Sequence, residues 1–107
     1  MPYIQQELRT RLNTKIIELV SEIRRASEEQ GEVKKEKLVG VLNYTITTLV
    51  KTTYSIFPES YSIYNQIQGL FDCVAREYYR KEVVPYEEEK ERQNGKVEAL
   101  SDISSET

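Results

Sequence analysis

The chain has 107 residues, 15 basic and 18 acidic side chains, a net charge of −3 and a mean hydropathy of −0.61, the size of a single domain. It holds no His and one Cys, Cys73, which excludes the common zinc ligand sets, a serine–histidine triad, a thiol–imidazole pair and a disulfide framework. The acidic balance argues against nonspecific DNA or RNA binding. No apolar run approaches the roughly 18–20 residues that cross a bilayer, and Met1-Pro2-Tyr3-Ile4 lacks the apolar stretch of a signal peptide. A soluble, cytoplasmic protein with no membrane contact is expected.

Leu12, Ile16, Leu19, Val20 and Ile23 recur at helical spacing and predict a first amphipathic helix. Arg9, Arg11, Lys15, Glu18, Glu22 and Arg25 lie mostly off that stripe. The polar stretch Ser27–Lys37 interrupts it, and a loop near Gly31 is preferred over a solvated helical extension. Residues 38–54 read two ways. Leu38, Leu42, Ile46, Leu49 and Val50 suit a helix, whereas Leu42, Tyr44, Ile46, Thr48, Val50, Thr52, Tyr54 and Ile56 alternate as in a strand. A lone strand leaves its backbone groups unpaired and no second strand is evident, so a helix is expected.

Pro58-Glu59-Ser60 reads as a turn, and Ser60 is expected to cap a third helix reaching about Glu82. Ile63, Ile67, Leu70, Phe71, Val74 and Tyr78 form its apolar face. A second stripe, about 140° away on a helical wheel, runs through Ser62, Asn65, Gly69, Cys73, Arg76 and Arg80. Two faces on one helix suggest two partners. After Pro85, the acids Glu87, Glu88 and Glu89 suit a first helical turn and Asn94-Gly95 a stop. Residues 85–93 are then a short fourth helix, or the third helix continued past a proline kink. Residues 96–107 have few large apolar groups and are expected to be a flexible acidic tail after a single helical domain spanning 1–95. The fold expected is all-α, a small bundle of three to four helices.

Nothing in this pattern favours an enzyme, and no cofactor or metal is expected. Glu77 stands in the order that favours an ion pair with Lys81, Glu87–Glu89 point in different directions around a helix, and Cys73 reads as a packed thiol. Tyrosine is the unusual feature: eight, against two Phe and no Trp. A phenol ring stacks and still offers a hydroxyl. Asn43-Tyr44, Tyr64-Asn65, Tyr79-Arg80 and Tyr86 with Lys90 one turn on set rings beside amides or cations. Stacking ring, amide and cation together suit a nucleotide-like ligand; the competing reading is a tyrosine-rich subunit interface. A domain this small gains from self-association, and a homo-oligomer would bring Arg76 and Arg80 of several copies around one pocket.

Met1-Pro2-Tyr3-Ile4, Leu42-Asn43-Tyr44-Thr45-Ile46-Thr47, Tyr64-Asn65, Gly69, Cys73, Glu77, Tyr79-Arg80, Pro85-Tyr86-Glu87, Lys90 and Asn94-Gly95 occur in that order. In this the chain resembles a family of short phage and prophage proteins catalogued as a domain of unknown function, over roughly residues 1–97. The resemblance implies a helical continuation of the Leu-Asn-Tyr segment and a phage protein acting in the bacterial host cell, with no established activity. Two functions follow as expectations. The first is a homo-oligomer that sequesters a nucleotide-derived signal of bacterial immunity, such as a cyclic nucleotide or an ADP-ribose derivative. In it Tyr44, Tyr64 and Tyr86 stack on the ligand, Asn43 and Asn65 read base or ribose edges, and Arg76, Arg80 and Lys90 hold phosphates. The second is an adaptor or inhibitor that binds a host protein through the third helix and the acidic end. A virion-assembly accessory role ranks below both.

Overall fold

A computed structural model describes residues 3–95; the flexible tail expected over 96–107 lies outside the described residues. The architecture is all-helical. Helix α1 spans Gln6–Ala26, α2 Lys35–Tyr54, α3 Tyr61–Tyr78 and α4 Val84–Asn94. A two-residue strand pair, β1 (Glu28–Glu29) and β2 (Glu32–Val33), sits between α1 and α2. The chain divides into two units, Met1–Gln68 and Gly69–Thr107, with the boundary inside α3. No described helix is long and apolar enough to cross a membrane.

In the first unit the loop expected near Gly31 is a miniature hairpin. Glu28 pairs with Val33 and Glu29 with Glu32 in antiparallel register. The two-residue turn places Gln30 at φ 56° and Gly31 at φ 79°, the paired positive φ values of a turn that matches strand twist. Lys34 reaches Glu32 at 3.0 Å and relieves the carboxylate opposition across the pair. Ser27 closes the end of α1: its hydroxyl donates to the Ile23 carbonyl at 2.7 Å, and its own carbonyl accepts from Lys34 N–H at 3.1 Å. With these bonds made, Ser27 is the one fully buried side chain among the described residues. Residues 35–54 form a helix, as the absence of a partner strand demanded; Thr45 and Thr53 direct their hydroxyls to carbonyls one turn back, at 2.7 Å each.

Ser60 caps α3 as expected, its hydroxyl accepting from Ile63 N–H at 3.2 Å. Ile63, Ile67, Leu70 and Phe71 are half-buried, whereas Val74 and Tyr78 farther along the same face are exposed. Of the two readings for the Pro85 region, the continuous helix is the one found, but with a device the sequence reading lacked. Tyr79–Val83 is a π turn, and Val84 N–H donates to Tyr79 carbonyl oxygen five residues back. The widened turn takes in one extra residue ahead of Pro85, which then sits in the first turn of α4, where its missing N–H is tolerated. Gly95, at φ 86°, ends the helix by donating its N–H to Glu91 at 2.7 Å.

Apolar faces are formed but only partly covered. No hydrophobic side chain among the described residues is buried, and leucines, isoleucines and tyrosines on the helices stay well exposed.

Candidate functional site

All eight candidate ligand residues lie on helices and face solvent. Asn43 and Tyr44 occupy successive positions of α2, so they point about 100° apart around the helix. Tyr64 and Asn65 are the fourth and fifth residues of α3, just beyond its cap. The Tyr64 hydroxyl donates to Glu59 Oε2 at 2.7 Å, and this bond, with smaller contributions from burial and from the carboxylate's charge, raises the phenol above its ordinary pKa. Sequence reasoning missed Glu59 because a five-residue separation across a cap is not a helical repeat.

In the second unit Arg76 and Arg80 are one turn apart. Arg80 is engaged: its Nε and Nη2 lie 2.9 and 2.7 Å from Oε1 of Glu77, a carboxylate whose side chain is only 21% exposed. Tyr86 and Lys90 meet as their i, i+4 spacing implied, with Lys90 Nζ 5.6 Å from the ring centroid, a cation–π contact. The Glu87–Glu89 run behaves as a helical surface: Glu89 is taken up by Arg92 and by Gln93. Among the described residues no cluster of acidic or thiol groups is arranged to hold a metal ion. Cys73 differs from expectation. It is an exposed free thiol, because the stripe it shares with Gly69 and Arg76 has no neighbour packed on it, and a Cβ added at Gly69 would meet nothing within 4 Å.

The structure therefore brings two of the eight together, Tyr86 and Lys90, and supplies Tyr64 and Arg80 with carboxylate partners the sequence reading had not assigned to them. A cleft of about 460 Å³ opens elsewhere, lined by Ile17, Val20, Ser21, Arg24, Arg25 and Glu28. No signal beyond adjacent arginines at a helix end marked it in the sequence. The chemistry on offer is stacking, cation–π and charge-assisted hydrogen bonding.

A family model described as a domain of unknown function, DUF6899, matches residues 1–97. That is the extent expected from the sequence motifs. No curated protein and no solved structure matches the chain.

Proposed function

Because the chain belongs to the DUF6899 family, whose description assigns no activity, we propose from its own residues that it acts by binding rather than catalysis. The reading is a phage-type, helical homo-oligomer that sequesters a nucleotide-derived signalling molecule of bacterial immunity in the host cytoplasm. The observation that carries it is Lys90 held over the exposed ring of Tyr86. A ring edge and face beside a cation offer a base its stacking surface and a phosphate its counter-charge. Arg76 adds a guanidinium with no ion pair among the described residues, whereas Arg80 shares its charge with Glu77. Tyr44, Tyr64, Asn43 and Asn65 would complete the ligand shell from copies assembled around it, since α2 turns Asn43 and Tyr44 apart.

The exposed parts of the apolar faces favour a second reading, a protein-binding adaptor or inhibitor of a host protein, with those parts as the contact. One measurement separates the two. The protein is purified gently from cells running a bacterial nucleotide-signalling system, and its native mass spectrum is recorded. A bound nucleotide-sized mass that disappears on denaturation supports sequestration, and Tyr86→Ala should then weaken retention about tenfold, the scale of one stacked base, with helix content unchanged. A bare protein that also ignores added cyclic nucleotides and ADP-ribose derivatives removes the ligand reading and leaves the host-protein one.

A further inference from the structure

An asparagine amide is chemically labile when the next residue offers an unhindered backbone nitrogen, and the four asparagines of this chain sit in unlike settings. Asn13, Asn43 and Asn65 are followed by Thr14, Tyr44 and Gln66. They lie inside α1, α2 and α3, where the following N–H is held in the helical ladder. Asn94 is the last residue of α4 and is followed by Gly95. Both are exposed. Gly95 has no Cβ, and one added there would meet nothing within 4 Å, so its nitrogen is open to attack chemistry and to water. That same nitrogen closes the helix: at φ 86° Gly95 donates its N–H to the Glu91 carbonyl at 2.7 Å. While the bond stands, the hydrogen is committed to Glu91 and the nitrogen is not free to meet the Asn94 amide. It is also the final bond of α4, and a helix end opens at little cost in free energy. The end is lightly held. Arg92 is the basic residue of the last turn, and Glu89 already pairs with it.

We propose that Asn94–Gly95 is a self-modifying site, a deamidation site gated by the closing bond of α4. When the last turn opens, the Gly95 nitrogen gives its proton to base and attacks Asn94 Cγ. The Cγ–amide bond breaks, ammonia leaves, and a five-membered imide joins the two residues. Water then opens the ring, so each event consumes one water and releases one ammonia, with nothing oxidised or reduced. Opening at Cγ gives aspartate; opening at the main-chain carbonyl gives isoaspartate, which adds a carbon to the backbone. Either product sets a new negative charge at the helix end that favours cations, in the same turn as Glu91. Isoaspartate also moves Gly95 out of register with the Glu91 carbonyl. The reaction therefore loosens its own gate. The turn it loosens follows directly on Lys90, the cation over the Tyr86 ring. The chemistry is independent of any bound ligand.

Peptide mapping by mass spectrometry tests the site on the full chain, incubated at mildly alkaline pH with and without denaturant. In the folded protein Asn94 should convert to aspartate and isoaspartate about tenfold more slowly than in the denatured chain, the protection expected of one fraying turn. Asn13, Asn43 and Asn65 should remain amides in the same folded sample. Arg92→Glu removes the cation of the last turn and adds an anion there, so it should speed the folded-state conversion about two- to fivefold and leave the denatured rate unchanged. Asn94→Gln, whose longer side chain closes its ring far more slowly, should abolish the modification with helix content kept. Asn94→Asp, the chemical product, should shift the backbone amides over 90–95 toward coil. Equal rates in the folded and denatured chains, or an Arg92→Glu variant that converts no faster, overturn the gate. An Asn94 still intact in the folded protein once the denatured chain has fully converted overturns the site.

Discussion

The helical run is broken twice, at 27–34 and at 79–83, and the two breaks are built on opposite principles. The first is made of bonds. Ser27 is buried with its hydroxyl and carbonyl both engaged, two strands pair, and two consecutive residues adopt positive φ. The second is made by the lack of one. Pro85 has no N–H to give, and the chain widens to a π turn ahead of it instead of reversing. A satisfied break ends one helix and folds the chain into a hairpin; a break caused by a missing donor lets the helix continue and shifts its register by one residue. That shift decides where Tyr86 and Lys90 point relative to Arg76, so the proline's influence extends into the candidate site.

Replacing the proline tests this cause most strongly. Pro85→Ala restores a donor and removes the ring, and because Pro85 stands in a first turn that tolerates it, stability measured by thermal unfolding followed by circular dichroism should change by no more than about 1 kcal/mol. If the π turn then closes to an α turn, α4 rotates by about 100° against α3, and any ligand retained through Tyr86 and Lys90 should be lost although stability is little changed. Unaltered amide shifts over 79–84 in the variant would mean that the widened turn has another origin.

The first break should respond to its backbone and not to a missing donor. Gly31 lies at φ 79° with open space around it, so a side chain there meets no clash and only the conformation resists it. Gly31→Val should destabilise the protein by about 1–2 kcal/mol, the penalty for a left-handed L-residue, while Gly69→Val, in open space on α3 at an ordinary helical φ, should change stability far less. Equal losses at the two glycines in chemical denaturation would show that the positive φ is not what sustains the hairpin.

The same contrast explains what was legible in the sequence. The four helices, the Ser60 cap and the Gly95 stop were readable because periodicity, a hydroxyl before an apolar run and a glycine after a charged turn are local signals. The helical state of 38–54 was readable only through backbone satisfaction, since Leu42, Tyr44 and Ile46 fit both periods. The hairpin escaped because its turn is Gln-Gly and not the Asn-Gly that usually marks one, with two carboxylates, Glu29 and Glu32, set opposite each other. The π turn escaped because Pro85 signals a defect without saying whether the helix stops or widens. Of the site, Tyr86 with Lys90 was legible as a spacing of four. The exposure of Cys73 was not, because it depends on which face of α3 finds a neighbour, and the engagement of Arg80 by Glu77 was missed because Lys81, at a spacing of four, competes for the same carboxylate in the sequence.

The smallest effect expected is the most specific to one bond. Tyr64 donates to Glu59, and the bond holds the phenol's proton, raising its pKa. For a group whose folded pKa lies above its unfolded value, the stabilisation is fully present below the unfolded value and is lost as pH rises through the folded one. The Tyr64 contribution is therefore constant across neutral pH and disappears only in the alkaline range of phenol ionisation. Glu59→Gln removes the negative charge and should bring the Tyr64 midpoint back toward that of an ordinary tyrosine in an ultraviolet titration, with stability near neutral pH scarcely altered because the pair is exposed. Should Tyr64 stack on a ligand as proposed, its hydroxyl bond fixes the ring beside the cap of α3, and Glu59→Gln should weaken ligand retention less than Tyr64→Ala does. Equal losses in the two variants would assign the contact to the carboxylate, and the ring's stacking role would fall.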